Sequence, residues 1–200
     1  MKVIDRPSSI LDLGCGCGLV AILIAKHSKY ELNLSASDLS ETVKNVVKIN
    51  SDAYGLDIDV RKSDIFNAWE KEKFDFIIND ISGVAEEVAS ISPWFKNISC
   101  EAGEGGNLLV ETVIDNAHEH LLQDGKLIFP VISFSNREAI LEKAKATFNN
   151  VDLIVRQEWP APREMLAHLD TLEKLKKKGL VDYSISFGQI IGYTEIYCAF

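Results

Sequence analysis

The stretch Ile10-Leu11-Asp12-Leu13-Gly14-Cys15-Gly16-Cys17-Gly18-Leu19 sets the reading of the whole chain. Ile10 to Leu13 is an apolar run holding one acid, the pattern of a strand buried on both faces. Three glycines at alternate positions break it, and Leu19 to Ala25 resumes with helical apolar spacing. Strand, glycine turn and helix in that order make a nucleotide-type cofactor site. The turn needs backbone angles that a Cβ resists, and a ligand must approach bare main chain. The open N–H groups of the helix start favour an anionic group. The dinucleotide fingerprint G-x-G-x-x-G would place its third glycine one residue beyond Gly18, which argues against a nicotinamide-dependent oxidoreductase.

Outward from this turn, strands and helices alternate. Strands are expected at Ser8 to Leu13, Leu32 to Ser37, Asp57 to Arg61, Lys73 to Ile78, Lys126 to Ile132 and Val151 to Glu158. Helices are expected at Leu19 to Lys29, Leu39 to Tyr54, Asn107 to Leu122, Arg137 to Phe148 and Arg163 to Lys178. A long connection, Asp80 to about Gly106, carries a helical turn near Val84 to Ser90, and Gln123-Asp124-Gly125 reads as a turn. Strand-like segments close the chain around Gly188 and Gly192. Such alternation calls for a parallel sheet with right-handed crossovers. Ligands then bind beyond the carboxyl ends of the strands. Those ends carry Asp12, Asp38-Leu39, Asp64-Ile65 and Asn79-Asp80. Asp38 stands on the order of twenty residues past the loop, where an acid pairs with a ribose diol. Asp38-Leu39-Ser40-Glu41 also fits a helix capping box, and the two roles are compatible.

Two hundred residues suit one domain, with no clear internal boundary and a helical insertion at about 162–179. The apolar content of 46% and charged content of 26% are those of a soluble globular chain. No apolar run reaches the ~20 residues of a membrane span, and the first nine residues lack signal-peptide shape. Four cysteines in a chain of this length form no disulfide framework, so a reduced, cytoplasmic setting is expected. The net charge of −9 argues against nucleic acid, whose phosphates need lysine and arginine. The run Lys174 to Lys178 is read as a solvated helix end that suits the dipole. His118-x-His120 lies on a helix, where residues two apart do not share a face, and no cysteine–histidine spacing suits zinc.

The pattern Asp12-x-Gly14-x-Gly16-x-Gly18 after a strand resembles the first motif of the class I S-adenosylmethionine-dependent methyltransferases. Within them, Ile10 to about Phe148 is most similar to the small-domain group that includes the release-factor glutamine methyltransferases. Gly105-Gly106-Asn107-Leu108-Leu109 and Leu121-Leu122-Gln123-Asp124-Gly125-Lys126-Leu127 carry that likeness. The resemblance implies a Rossmann-like α/β sandwich with a mostly parallel, seven-stranded sheet and an antiparallel C-terminal strand. It implies S-adenosyl-L-methionine as cofactor and no metal. The cofactor would be held by Asp12, Gly14, Cys15, Gly16, Gly18, Asp38, Leu39, Asp64, Ile65 and Asn79. Asp12 would position the methionyl amino group, Asp64 would accept from the adenine amine, and Ile65 would pack on the ring. Asn79 and Asp80 would carry the methyl transfer. The acceptor would be a nitrogen of a protein, such as a glutamine side chain, or a small molecule.

Two departures stand out. The group carries N-P-P-Y or D-P-P-Y at the fourth strand end, and this chain has Asn79-Asp80-Ile81-Ser82. Asn79 and the Asp80 carbonyl can still accept from a substrate N–H, whereas Ser82 cannot stack on a planar group. Asp80 adds a carboxylate able to act as a base, and Trp94 and Phe95 are candidate aromatics. Ribosomal-protein methyltransferases, with an N-x-L-type sequence here, fit as well. Only about nine residues precede the glycine motif, where release-factor enzymes carry a recognition domain. Acceptor recognition then falls to the Asp80–Gly106 loop and the Arg163–Lys178 insertion, or to a partner. The alternative is a non-catalytic cofactor-binding subunit. The sequence leaves the oligomeric state open.

Overall fold

The computed structural model describes residues 4–96 and 100–200. In chain order the strands are β1 (Ser8–Leu13), β2 (Leu32–Asp38), β3 (Ile58–Lys62), β4 (Phe74–Asn79), β5 (Leu121–Ile132), β6 (Val151–Pro160), β7 (Ser184–Ser186) and β8 (Gln189–Ala199). The helices are α1 (Leu19–His27), α2 (Val43–Asp52), α3 (Glu86–Ile91), α4 (Leu108–His120), α5 (Arg137–Thr147) and α6 (Leu169–Lys177). Two compact units divide the chain. One runs to Ile81 and adds Asn116–Ile128 and Phe200; the other holds Ser82–Asp115 and Phe129–Ala199.

The first unit is a parallel sheet in the order β3-β2-β1-β4-β5. β1 is central and apolar on both sides, with Ile10, Leu11 and Leu13 almost wholly buried. Ala21 and Ile22 of α1 and Val43 and Val47 of α2 pack on Ile10, Leu34, Ala36, Phe76 and Ile78. Register pairs Leu13 with Ser37 and with Asn79, so three strands end at one level. That alignment gathers the residues after each strand.

Two local expectations differ. The helix expected from Leu39 begins at Val43, with Thr42 at its N-cap. The proposed capping box does not form: Asp38 Oδ1 accepts from Ser40 N at 2.9 Å in a local turn, and its other oxygen is taken up elsewhere. Glu41, the reciprocal member, pairs with Lys62 instead. Likewise Gln123-Asp124-Gly125 is no free turn but part of β5, where the register against β4 shifts between Phe74 and Phe76. A Cβ on Gly125 would lie 2.9 Å from the carbonyls of Leu122 and Phe74, so glycine lets the irregular strand close on its neighbour.

In the second unit, β8 follows the distal part of β5 and pairs antiparallel with β6, from Val151↔Ala199 to Pro160↔Ile191. β7 and β8 form a hairpin through Phe187 and Gly188, both at positive φ, as a two-residue primed turn requires. The segment expected as one helix over 163–178 is a 3-10 turn, Arg163–His168, followed by α6. Met165, Leu172 and Leu175 from it pack with Val84, Val88 and Phe134. Glu195 of β8 is buried among Arg137 Nε at 2.6 Å, Arg156 Nη1 at 3.1 Å and Tyr197 Oη at 2.7 Å. The sheet is thus mostly parallel with an antiparallel C-terminal part, as expected, and it has eight strands where seven were expected, the short β7 pairing with β8 being the addition.

Candidate cofactor and acceptor site

The turn after β1 is tied to its neighbours through main chain. Gly14 N and Cys15 N both donate to the Ser37 carbonyl, at 2.8 and 3.0 Å. Gly14 is at φ 74°, and a Cβ there would meet Ile81 N at 2.8 Å. Gly18, at φ 78°, would meet the Val47 side chain at 2.9 Å. Gly16 also has positive φ, yet nothing lies within 4 Å of its Cβ position, so one face of the turn is open. Asn50 Nδ2 donates to the Cys17 carbonyl at 2.8 Å and anchors the loop from α2. Gly14 and Gly18 are thus required by packing, and Gly16 leaves room for a ligand against the backbone.

Three carboxylates surround this turn. Asp12, at 0% exposure, accepts from Ala21 N through Oδ2 at 3.1 Å and so caps α1 from a neighbouring strand. Its Oδ1 has no partner. Burial, with the charges of Asp80 and Asp38 adding, pushes the Asp12 carboxyl up to about 7, against the Ala21 N–H, which lowers it. Asp38 Oδ2 accepts from Gly16 N at 3.0 Å, fixing the glycine turn to β2. Asp80 donates its backbone N–H to Leu13 O at 2.8 Å, and desolvation raises its side-chain carboxyl above the usual range. Burial and the nearby Asp12 and Asp38 charges hold the Cys15 thiol up at about 12, so it stays protonated. No ion pair among the described residues involves Asp12, Asp38 or Asp80.

Asn79 ends β4 at 1% exposure. Its Oδ1 accepts from Ile81 N at 3.2 Å, and its Nδ2 is left without a partner. The oxygen expected to face a substrate N–H therefore already holds the local turn, and the open group is the donor. Ser63 N donates to the Asp38 carbonyl at 2.9 Å, which brings the turn after β3 to the same sheet end. There Asp64 is exposed and Ile65 adopts φ 46°, a strained angle for a β-branched residue. Leu39 is exposed beside Asp38, at 67%.

Other candidates fall elsewhere. Ser82 Oγ lies 3.2 Å from Cys100 Sγ. Trp94 meets Trp159 edge-on at 5.3 Å, and Phe95 packs on the core of the second unit. His118 is exposed while His120 is buried, stacked on Phe66 at 4.3 Å. No cysteine among the described residues is in a disulfide. Sequence reasoning missed Ser37, Ile81 and Asn50. Their parts are a backbone carbonyl, a packing contact and a bond to a distant carbonyl, none of which leaves a motif.

The arrangement suits a ligand carrying both charges and hydrogen-bonding edges. Asp12 Oδ1 and Asn79 Nδ2 are a buried acceptor and a buried donor in need of partners. The open face at Gly16 offers the approach. A donor with an ammonium group, such as S-adenosylmethionine, fits this set.

Comparison with known proteins agrees. Residues 1–80 match the family described as methyltransferase small domain. A ribosomal protein uL3 glutamine methyltransferase of Bradyrhizobium diazoefficiens is 31% identical over 64% of this chain and 42% of its own length. A release factor glutamine methyltransferase of Enterococcus faecalis is 27% identical over 72% of this chain and 53% of its own. This chain thus spans about half the length of the curated relatives it matches. Among solved structures, a ribosomal protein L11 methylase from Lactobacillus delbrueckii subsp. bulgaricus superposes with a TM-score of 0.56 at 19% identity, covering 97% of this chain and 72% of that one. With the glycine turn, the strand-end acids and the strand order described above, the chain is similar over residues 1–80 to the methyltransferase small domain and shares the fold of solved methyltransferases.

Proposed function

We propose that this chain binds S-adenosyl-L-methionine and transfers its methyl group to a nitrogen of a protein. The observation that carries the reading is the pair of unpartnered buried atoms, Asp12 Oδ1 and Asn79 Nδ2, beside the open glycine turn. Asp12 would take the ammonium of the methionyl part, and Gly14, Cys15, Gly16 and Gly18 would line its path. Asp38 would hold the ribose hydroxyls, with Leu39 alongside. Asp64 and Ile65 would hold the adenine, the first by accepting from its amine and the second by packing. When bound, the cofactor supplies a methyl group already activated by a neutral thioether leaving group. The work left to the protein is to bring the acceptor in line and to take up its proton.

A polypeptide acceptor is supported by the relatives, which are named for glutamine methylation of protein uL3 and of release factors. A net charge of −9 disfavours nucleic acid. No helix among the described residues is long and apolar enough to cross a membrane. Four cysteines outside any disulfide suit a reducing, cytoplasmic compartment. Residues 1–200 would act as one methyltransferase domain. A non-catalytic binding subunit is the second reading, favoured by Asp80-Ile81-Ser82 in place of the family's Pro-Pro-Tyr.

Titration calorimetry tests the first step. The chain is expected to bind S-adenosylmethionine and its demethylated product in the micromolar range. Asp38→Ala should weaken both at least about tenfold, since a charged acceptor is lost. Absence of binding by the unaltered chain ends the proposal. Binding with no transfer of labelled methyl to any protein in a matched lysate favours the subunit reading.

A further inference from the structure

We propose that the acceptor is a primary amine of a basic polypeptide, a lysine side chain or a free N-terminus, and that Asp80 receives it as an ammonium ion. This rests on the methyl-transfer reading above and names the acceptor within it. Four observations carry it. Asp80 stands at the carboxyl end of β4, with its N–H on Leu13 O at 2.8 Å, directly beside the glycine turn. No lysine, arginine or histidine pairs with it among the described residues, and neither Asp12 nor Asp38 has such a partner. Two buried groups at the same strand ends, Asp12 Oδ1 and Asn79 Nδ2, lack partners, so a ligand is called for at this end of the sheet, where Asp80 is exposed. The ammonium group of the methionyl part accounts for Asp12, and the ribose diol for Asp38. Asp80 remains as a negative charge with no assigned cation.

A carboxamide acceptor would need different fittings. Its nitrogen lone pair is delocalised, so the site must grip both N–H groups and cover the planar face. Asn79 Oδ1 is already held by Ile81 N at 3.2 Å. The position that would cover the plane is Ser82, whose hydroxyl lies 3.2 Å from Cys100 Sγ. An alkyl ammonium has no plane to cover and needs a carboxylate, both to attract it and to take its proton. Asp80 is exposed, so an acceptor ammonium can reach it, and partial desolvation raises its carboxyl above the usual range, which makes it a better proton acceptor than an ordinary aspartate. The charge of −9 draws a basic partner toward the protein.

The chemistry balances. The ammonium passes one proton to the Asp80 carboxylate, leaving a neutral amine and a carboxylic acid. The amine lone pair forms the N–C bond as the C–S bond breaks, and that electron pair stays on sulfur as a thioether. The product is a methylammonium ion, and Asp80 returns its proton to water.

The test uses the full chain and three peptides of one basic sequence. The first has a single lysine and a free N-terminus. The second has both amines acetylated. The third is the acetylated peptide with a glutamine in place of the acetyl-lysine. Calorimetry without cofactor should show the amine peptide binding at least about tenfold more tightly than the acetylated one, with the difference removed by Asp80→Asn. With labelled cofactor, label should enter the amine peptide only. Asp80→Asn should cut kcat/KM about 100-fold at an unchanged melting temperature, and Asp80→Glu should restore part of it. If the cofactor fails to bind, the methyltransferase reading falls and takes this inference with it. If the cofactor binds but label enters the glutamine peptide, or neither peptide, this inference alone falls. It also falls if Asp80→Asn leaves binding and turnover of the amine peptide unchanged.

Discussion

Asp12 sits in conflict with the fold that holds it. A carboxylate at 0% exposure, flanked by Asp38 and Asp80, has one hydrogen bond where ionisation calls for several. The sign of its effect on stability follows. Its folded value of about 7 lies above the ordinary 3.8, so the folded state keeps its proton while the unfolded state releases it. The resulting stability is fully present below about pH 4 and is lost as pH rises to about 7. A shift of that size is on the order of 4 kcal/mol at 1.36 kcal/mol per unit. Asp12→Asn keeps an acceptor for Ala21 N and carries no charge. Its melting temperature is expected to exceed that of the unaltered protein at pH 8, with little difference at pH 4, while cofactor binding is lost. Calorimetric melts across that range check it, and equal curves for the two proteins would refute it. Asp12 and the glycines were legible because each obeys a local rule of spacing. Asn50 and the Ser37 carbonyl were not, because their partners lie across the sheet.

Among the elements, the turn after β3 stores strain. Ile65 holds φ 46°, a region that costs a residue with a Cβ about 1–2 kcal/mol. Ser63 fixes it, with Oγ donating to Ile65 O at 2.8 Å and accepting from Ala68 N at 3.0 Å. Glycine is normally less stable than alanine by about 0.5–1 kcal/mol within an element. The order should reverse here: Ile65→Gly is expected to be at least as stable as Ile65→Ala in urea unfolding. Both should weaken cofactor binding, since each removes the apolar face beside Asp64. A markedly less stable glycine variant would show that the angle carries no cost. Strand positions were readable because β1 and β4 are mostly apolar runs, β2 alternates apolar and polar residues, and each stops at a polar or glycine-rich stretch. The start of α2 was not, because Asp38 satisfies both the capping rule and a bond to Gly16 N, and the glycine turn won. β5 was misread at Gln123-Asp124-Gly125 because a strand irregularity and a turn use the same residues.

Across the molecule, the second unit is held by charges other than the strand-end acids Asp12, Asp38 and Asp80. In the second unit, Glu195 joins α5, β6 and β8 through Arg137, Arg156 and Tyr197. Those partners hold its carboxyl below the usual range against its burial, while desolvation and Glu195 push the Tyr197 hydroxyl up to about 12. Arg137 and Arg156 are half-exposed, so they can turn to solvent when the carboxylate is removed, and the cost stays below the ~3–5 kcal/mol of a fully buried network. Glu195→Ala should lose about 1–3 kcal/mol in denaturant unfolding, the worth of hydrogen bonds to a charged group, and a larger loss would mean that the arginines stay trapped. This network was invisible in the sequence, where Arg137, Arg156 and Glu195 are far apart and obey no motif. The parallel sheet was visible, because alternating strands and helices leave few topologies open.

The buried Asp12 also dictates how ligands for this protein should be sought. In an acidic buffer Asp12 is protonated and costs the fold nothing, and a cationic compound must first displace that proton, so its melting shift is muted. At about pH 8 the carboxylate is already bare and unsatisfied, and the same compound relieves it directly. A thermal-shift screen in mildly alkaline buffer will therefore rank cationic ligands that an acidic screen would discard.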